Sequence, residues 1–99
     1  MAELTGKQRR HLRALGHHLE PVLRIGHEGL SEAVVAQANA ELEAHELIKV
    51  KLGESSPVAR HDAAAGLADA TGASVAQVLG RTFLLYRRRA RDPQLALPA

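Results

Sequence analysis

The segment Glu46-Leu47-Ile48-Lys49-Val50-Lys51-Leu52 decides the fold class. Ile48, Val50 and Leu52 alternate with Lys49 and Lys51. A period of two predicts a half-buried strand with its lysines on an open face. Before it, Val34, Val35, Ala38 and Leu42 recur at helical spacing, with Ser31 placed as N-cap. After it, Gly53-Glu54-Ser55 reads as loop, and Ser56-Pro57 as a helix start with Pro57 in the first helical position. Val58, Ala63, Leu67 and Ala70 supply the packed stripe of that helix, and Gly72 ends it in a left-handed conformation. A strand held between two amphipathic helices belongs to an α/β arrangement.

The flanks extend the same alternation. Thr5 and Gln8 have capping-box spacing, and Leu12, Leu15 and Leu19 form the apolar side of a first helix ending near Gly16. Pro21-Val22-Leu23-Arg24-Ile25 reads as a strand, and Gly26-His27-Glu28-Gly29 as the loop after it. Two further strands, Ser74 to Leu79 and Thr82 to Tyr86, flank Gly80-Arg81, a two-residue turn of type II′. The order is α-β-α-β-α-β-β, giving a small mixed four-stranded sheet with three helices packed on it. Residues 1–91 form one domain. Residues 92–99 form a tail that either frays or lies along the domain through Leu95 and Leu97.

Composition narrows the function classes. The chain has 99 residues and no cysteine, which excludes disulfides, thiolate zinc sites and cysteine nucleophiles. Apolar runs are too short to span a membrane, and residues 1–6 lack the apolar core of a signal peptide, so the expected location is the cytoplasm. Six histidines match no zinc spacing, and no nucleophile motif, Walker loop or carboxylate dyad is present. We expect no enzyme activity, no metal, no cofactor, no small-molecule substrate and a monomer.

Charge is segregated although the net value is only +2. Lys7, Arg9, Arg10, Arg13 and Arg24 precede residue 28, against Glu3 and Glu20. Glu28, Glu32, Glu41, Glu43 and Glu46 follow with no Lys or Arg among them, and Arg87, Arg88, Arg89 and Arg91 cluster late. One basic face and one acidic face result, and a basic face attracts polyanions. Gly26 and Gly29 permit close backbone approach, and amides opening the next helix suit a phosphate. His27 can donate to a phosphate, whereas the Glu28 carboxylate repels one. The bland alternatives are a tight turn needing left-handed residues and solubilising charge on helix and strand surfaces. Phe83 and Tyr86 are the only aromatics, too few for recognition by stacked rings.

Several segments together resemble one family. Leu4-Thr5-Gly6-Lys7-Gln8-Arg9 with His17 and Pro21-Val22 is similar to the opening of CRM domains, the YhbY-like family. Ile25 to Leu30 resembles their GxxG segment, and His45-Glu46-Leu47-Ile48-Lys49-Val50-Lys51 their HELIKVK block. Gly80-Arg81-Thr82 through Arg87 resembles their closing strand, and Leu97-Pro98 their C-terminal end. The resemblance implies helices on a mixed four-stranded sheet, similar to the C-terminal domain of a translation initiation factor. It implies RNA binding without catalysis or cofactor. Stand-alone bacterial members are associated with the precursor of the large ribosomal subunit, and multi-domain plant relatives with organelle intron splicing. Ribosomal RNA is therefore the expected partner of this single-domain chain. The expected RNA-binding residues are Lys7, Arg9, Arg10, Arg13, Gly26, His27, Gly29, Lys49, Lys51, Arg81, Arg87, Arg88 and Arg89. The rival is a protein-interaction module that uses the acidic face from Glu32 to Glu46 and never grips RNA.

Overall fold

The seven expected elements are present, in the expected order, in a computed structural model that describes residues 3–99. They are α1 (Gly6–Gly16), β1 (Pro21–Ile25), α2 (Glu32–His45), β2 (Leu47–Leu52), α3 (Arg60–Thr71), β3 (Ser74–Leu79) and β4 (Thr82–Tyr86). The sheet order is β1-β2-β4-β3. β1 runs parallel to β2, while β4 is antiparallel to both β2 and β3. This is the mixed four-stranded sheet with three helices that the alternation predicts.

Local chemistry sets the element ends. Thr5 Oγ1 accepts the Gln8 amide at 3.1 Å, and Gln8 Oε1 accepts the Thr5 amide at 3.1 Å, completing the capping box. Ser31 Oγ accepts the Val34 amide at 3.2 Å and starts α2. Gly72 stops α3 at φ 70°, and the Ala73 amide closes back on the Ala68 carbonyl at 2.9 Å. Gly80 has φ 58° while Arg81 keeps a negative φ, which fits type II′ rather than type I′.

Two details of the third helix differ from expectation. α3 starts at Arg60, not at Pro57. The Ser56 hydroxyl accepts the Val58 amide and donates to the Val58 carbonyl, each at 3.1 Å. Ser56 and Pro57 therefore close a separate local turn, and the helix begins after it with no side-chain cap. The buried stripe keeps Ala63 and Leu67 and is completed by Ala64, Ala68 and Thr71, while Ala70 is exposed.

Both faces of the sheet are covered. On one face Ile25, Ile48, Val50, Phe83 and Leu85 pack against Ala38 and Leu42 of α2 and Leu67 of α3. On the other, Leu47, Leu84, Tyr86 and Ala76 meet Leu4 and Leu12, with Leu95 and Leu97 of the last segment packed against them. This second layer corrects the expectation of an open lysine face. α1 crosses that side of the sheet, so Leu47 is buried, Lys49 is half-buried, and only Lys51 is fully exposed. Gly16 makes the approach possible, since a Cβ there would run into the Leu84 side chain.

Candidate nucleic-acid interface

The C-terminal ends of β1 and β2 lie side by side, because the two strands are parallel. Their register pairs Arg24 with Lys51, and the β2–β4 register pairs Lys51 with Thr82, next to Arg81. A cleft of about 420 Å³ opens there, lined by Arg24, Gly26, Lys51, Gly53, Glu54 and Arg81 among others. Three cations and one acid share its lining. Arg81 Nε donates to the Leu52 carbonyl at 3.2 Å, which fixes the guanidinium at the rim. Its terminal nitrogens hold no other hydrogen bond among the described residues. Gly53 forms the floor. Its amide donates to the Ile25 carbonyl at 2.8 Å, and a Cβ on it would stand 3.0 Å from that oxygen and 3.4 Å from Arg24 Nε. The close approach of the two strand ends thus favours glycine at 53.

Gly26 to Gly29 is a tight turn beside this cleft, with the Gly29 amide donating to the Gly26 carbonyl at 3.0 Å. The two glycines differ. Around Gly26 there is open space for a Cβ, whereas Gly29 is buried at φ 65° with Pro57 and Val58 each 3.3 Å from where a Cβ would sit. Gly29 therefore serves the packing of the turn, and Gly26 is the glycine that faces the cleft. His27 and Glu28 are exposed at the turn. Two amides near the turn are used internally: that of Gly29 by the Gly26 carbonyl, and that of Val34, at the start of α2, by Ser31.

The remaining basic residues scatter. Lys7, Arg10 and Arg13 are exposed on α1, and Arg9 lines a separate cleft with Asp69 and Ser74. The late arginine run is not a set of free cations. Arg87 donates to Asn39 Oδ1 and to the Thr71 carbonyl, both at 2.7 Å, and to the Asn39 carbonyl at 3.2 Å. Its Nη2 also lies 3.5 Å from Glu43. Arg89 donates to the Glu43 and Ala44 carbonyls at the end of α2 and to the Asp92 carbonyl. Both guanidiniums fasten helix ends, while Arg88 stays exposed beside Tyr86 and Pro93.

The model of the CRS1/YhbY (CRM) domain matches residues 4–87. The chain belongs to this family. It is 36% identical over 95 residues to the "Probable RNA-binding protein YqeI" of Bacillus subtilis, covering 96% of this chain and 99% of that one. It is 35% identical over 98 residues to a Haemophilus influenzae protein named "RNA-binding protein", covering 99% and 98%. The solution structure of SAV1595 from Staphylococcus aureus, a candidate RNA-binding protein, superposes with a TM-score of 0.82 at 36% identity, covering 96% of this chain and 99% of that one.

In this CRM domain the HELIKVK block does two jobs. Lys51 enters the cleft, and Glu46 acts as an internal clamp. Glu46 is only 1% exposed, so it lies off the acidic face assigned to it from sequence. Its carboxylate accepts the amides of Arg89, Gln94 and Leu95 at 3.0, 2.6 and 3.0 Å. Burial alone would raise its pKa. Three backbone donors and the Arg89 charge outweigh burial and hold it below the usual carboxylate range. Burial and the Glu46 charge push the Tyr86 phenol up. Glu43 pairs with Arg87 while staying largely exposed, Glu41 lies 3.9 Å from His45, and Glu32 is exposed, so Glu46 is the acid that leaves the expected acidic face.

Arg24 is the cleft residue missing from the expected set. The sequence carries a signal for it. Arg24 alternates with Leu23 and Ile25 in a short strand, which places it on the face opposite theirs. Only the parallel pairing to Lys51 shows that this position faces a second cation.

Proposed function

We propose that this CRM domain binds RNA by its phosphate backbone at the cleft of Arg24, Lys51 and Arg81, with Gly26 admitting the backbone at close range. The observation that carries the reading is the convergence of three cations on a glycine-lined floor at the ends of two parallel strands. The names of its relatives favour RNA as the polyanion. Phe83 and Tyr86 are both buried, so no aromatic ring is offered for stacking, and affinity rests on phosphates and shape. Resemblance to stand-alone bacterial members favours ribosomal RNA in the maturing large subunit, with the protein acting as a monomer in the cytoplasm without a cofactor.

Binding of purified ribosomal RNA fragments across a salt series tests this. Three phosphate contacts give a log–log slope of roughly −2 on single-stranded RNA. Arg24→Ala/Lys51→Ala should flatten the slope and weaken binding on every fragment. An unchanged slope in a folded double variant would move the site elsewhere.

A further inference from the structure

A second cleft, of about 410 Å³, lies between the C-terminal end of α1, strands β1 and β2, and the last segment. Its walls are Leu15, Leu19, Val22, Leu47 and Leu95, and its polar margin is Glu20, His45 and Lys49. Leu15 and Leu19 are 38% and 36% exposed, and Leu79 is the only other large hydrophobic so exposed among the described residues. Leu15 on α1 and Leu19 just after it therefore leave apolar surface beyond the core that α1 covers.

A groove along the β1 edge lies between this cleft and the basic one and shares lining residues with each. Val22 borders both the apolar cleft and this groove, and Arg24 and Lys51 border both the groove and the basic cleft. Lys49 and Lys51 share one face of β2, two residues or about 7 Å apart. That spacing is comparable with one phosphate-to-phosphate step of an extended single strand. A strand fixed by a phosphate at Lys51 places its neighbouring nucleotide at the apolar walls. Unpaired bases are bound between apolar side chains as well as aromatic ones. At the margin, Lys49 and His45 can donate to base oxygens or ring nitrogens, and Glu20 can accept from an exocyclic amine.

We propose that the apolar cleft holds an unpaired nucleobase of the RNA whose backbone lies in the basic cleft. The proposal rests on the RNA-binding reading above and adds a route to base selection without an aromatic residue.

The test uses the full chain and two probes of equal length, about ten nucleotides: a single-stranded RNA of mixed sequence and its abasic ribose-phosphate counterpart. Wild type should bind the base-bearing strand about tenfold more tightly than the abasic one. Leu15→Ser/Leu19→Ser, at exposed positions, should remove that preference. It should leave abasic binding and the salt slope unchanged, with an intact fold by circular dichroism and a modestly lowered thermal melt. Equal binding of both probes by wild type, with a steep salt slope, would overturn the base site while leaving the phosphate cleft standing, and would point to an apolar protein side chain as occupant. Persistence of the preference in the folded Leu15→Ser/Leu19→Ser variant would overturn it as well. Failure of wild type to bind either probe at low salt would overturn both readings.

Discussion

Glu46 Oε1 accepts the backbone N–H of Leu95 at 3.0 Å, across 49 residues of chain. The contact joins the end of α2 to the segment that follows β4, and it sits on a residue held at φ 64°. A positive φ at a non-glycine residue costs on the order of 1–3 kcal/mol and persists only where its surroundings enforce it. Three amide donors, with Arg89 beside them, supply that enforcement.

Glu46→Gln should destabilise the fold by about 2 kcal/mol at neutral pH, since it replaces charge-assisted hydrogen bonds with weaker ones and sets an amide group among donors. The pH dependence has a defined sign. Glu46 has a folded-state pKa below its ordinary value of 4.5, so its contribution is fully present above that value. The contribution is lost as pH falls through the lower folded-state value. Urea unfolding of wild type between neutral and acidic pH should show this loss, and the Gln variant should show less of it.

Arg87 and Arg88 are neighbours with opposite roles. Arg87→Ala removes three hydrogen bonds and takes the donor from Asn39 Oδ1 and from the Thr71 carbonyl, for a loss of about 2–3 kcal/mol. Arg88→Ala, at an exposed position, should stay within about 0.5 kcal/mol of wild type. Denaturant midpoints at constant m-value separate the two.

The two glycines of the turn should also part company. Gly29→Ala meets a left-handed φ together with Pro57 and Val58, and should cost about 1–2 kcal/mol. Gly26→Ala has space and no positive φ, so its thermal melt should be unchanged or raised slightly. If the cleft grips a phosphate backbone, Gly26→Ala should still weaken RNA binding. A melt and a titration on the same sample read both effects.

Basic residues outside the cleft should matter less than those inside it. Arg9→Ala/Arg10→Ala should weaken RNA binding by a smaller factor than Arg24→Ala/Lys51→Ala, because separated surface charges are screened more than converging ones. Parallel titrations at one salt concentration give the ratio. A larger loss in the α1 variant would place the main contact on the helix.

The sequence by itself determined the elements and their chemistry. The alternation from Ile48 to Leu52, the Thr5–Gln8 capping box, the Ser31 cap and the glycines at 72 and 80 are local signals, each acting within a few residues. The same locality explains the error at Ser56-Pro57, where the serine closes its own turn instead of capping α3. Tertiary structure decided which charges remain available. Strand pairing placed Arg24 beside Lys51, and α1 crossing the sheet half-buried Lys49. Chain closure drew Glu46, Arg87 and Arg89 into the fold. A carboxylate or guanidinium reads the same in sequence whether it faces water or a backbone group 40 or more residues away. Only the folded chain brings that partner within hydrogen-bond distance.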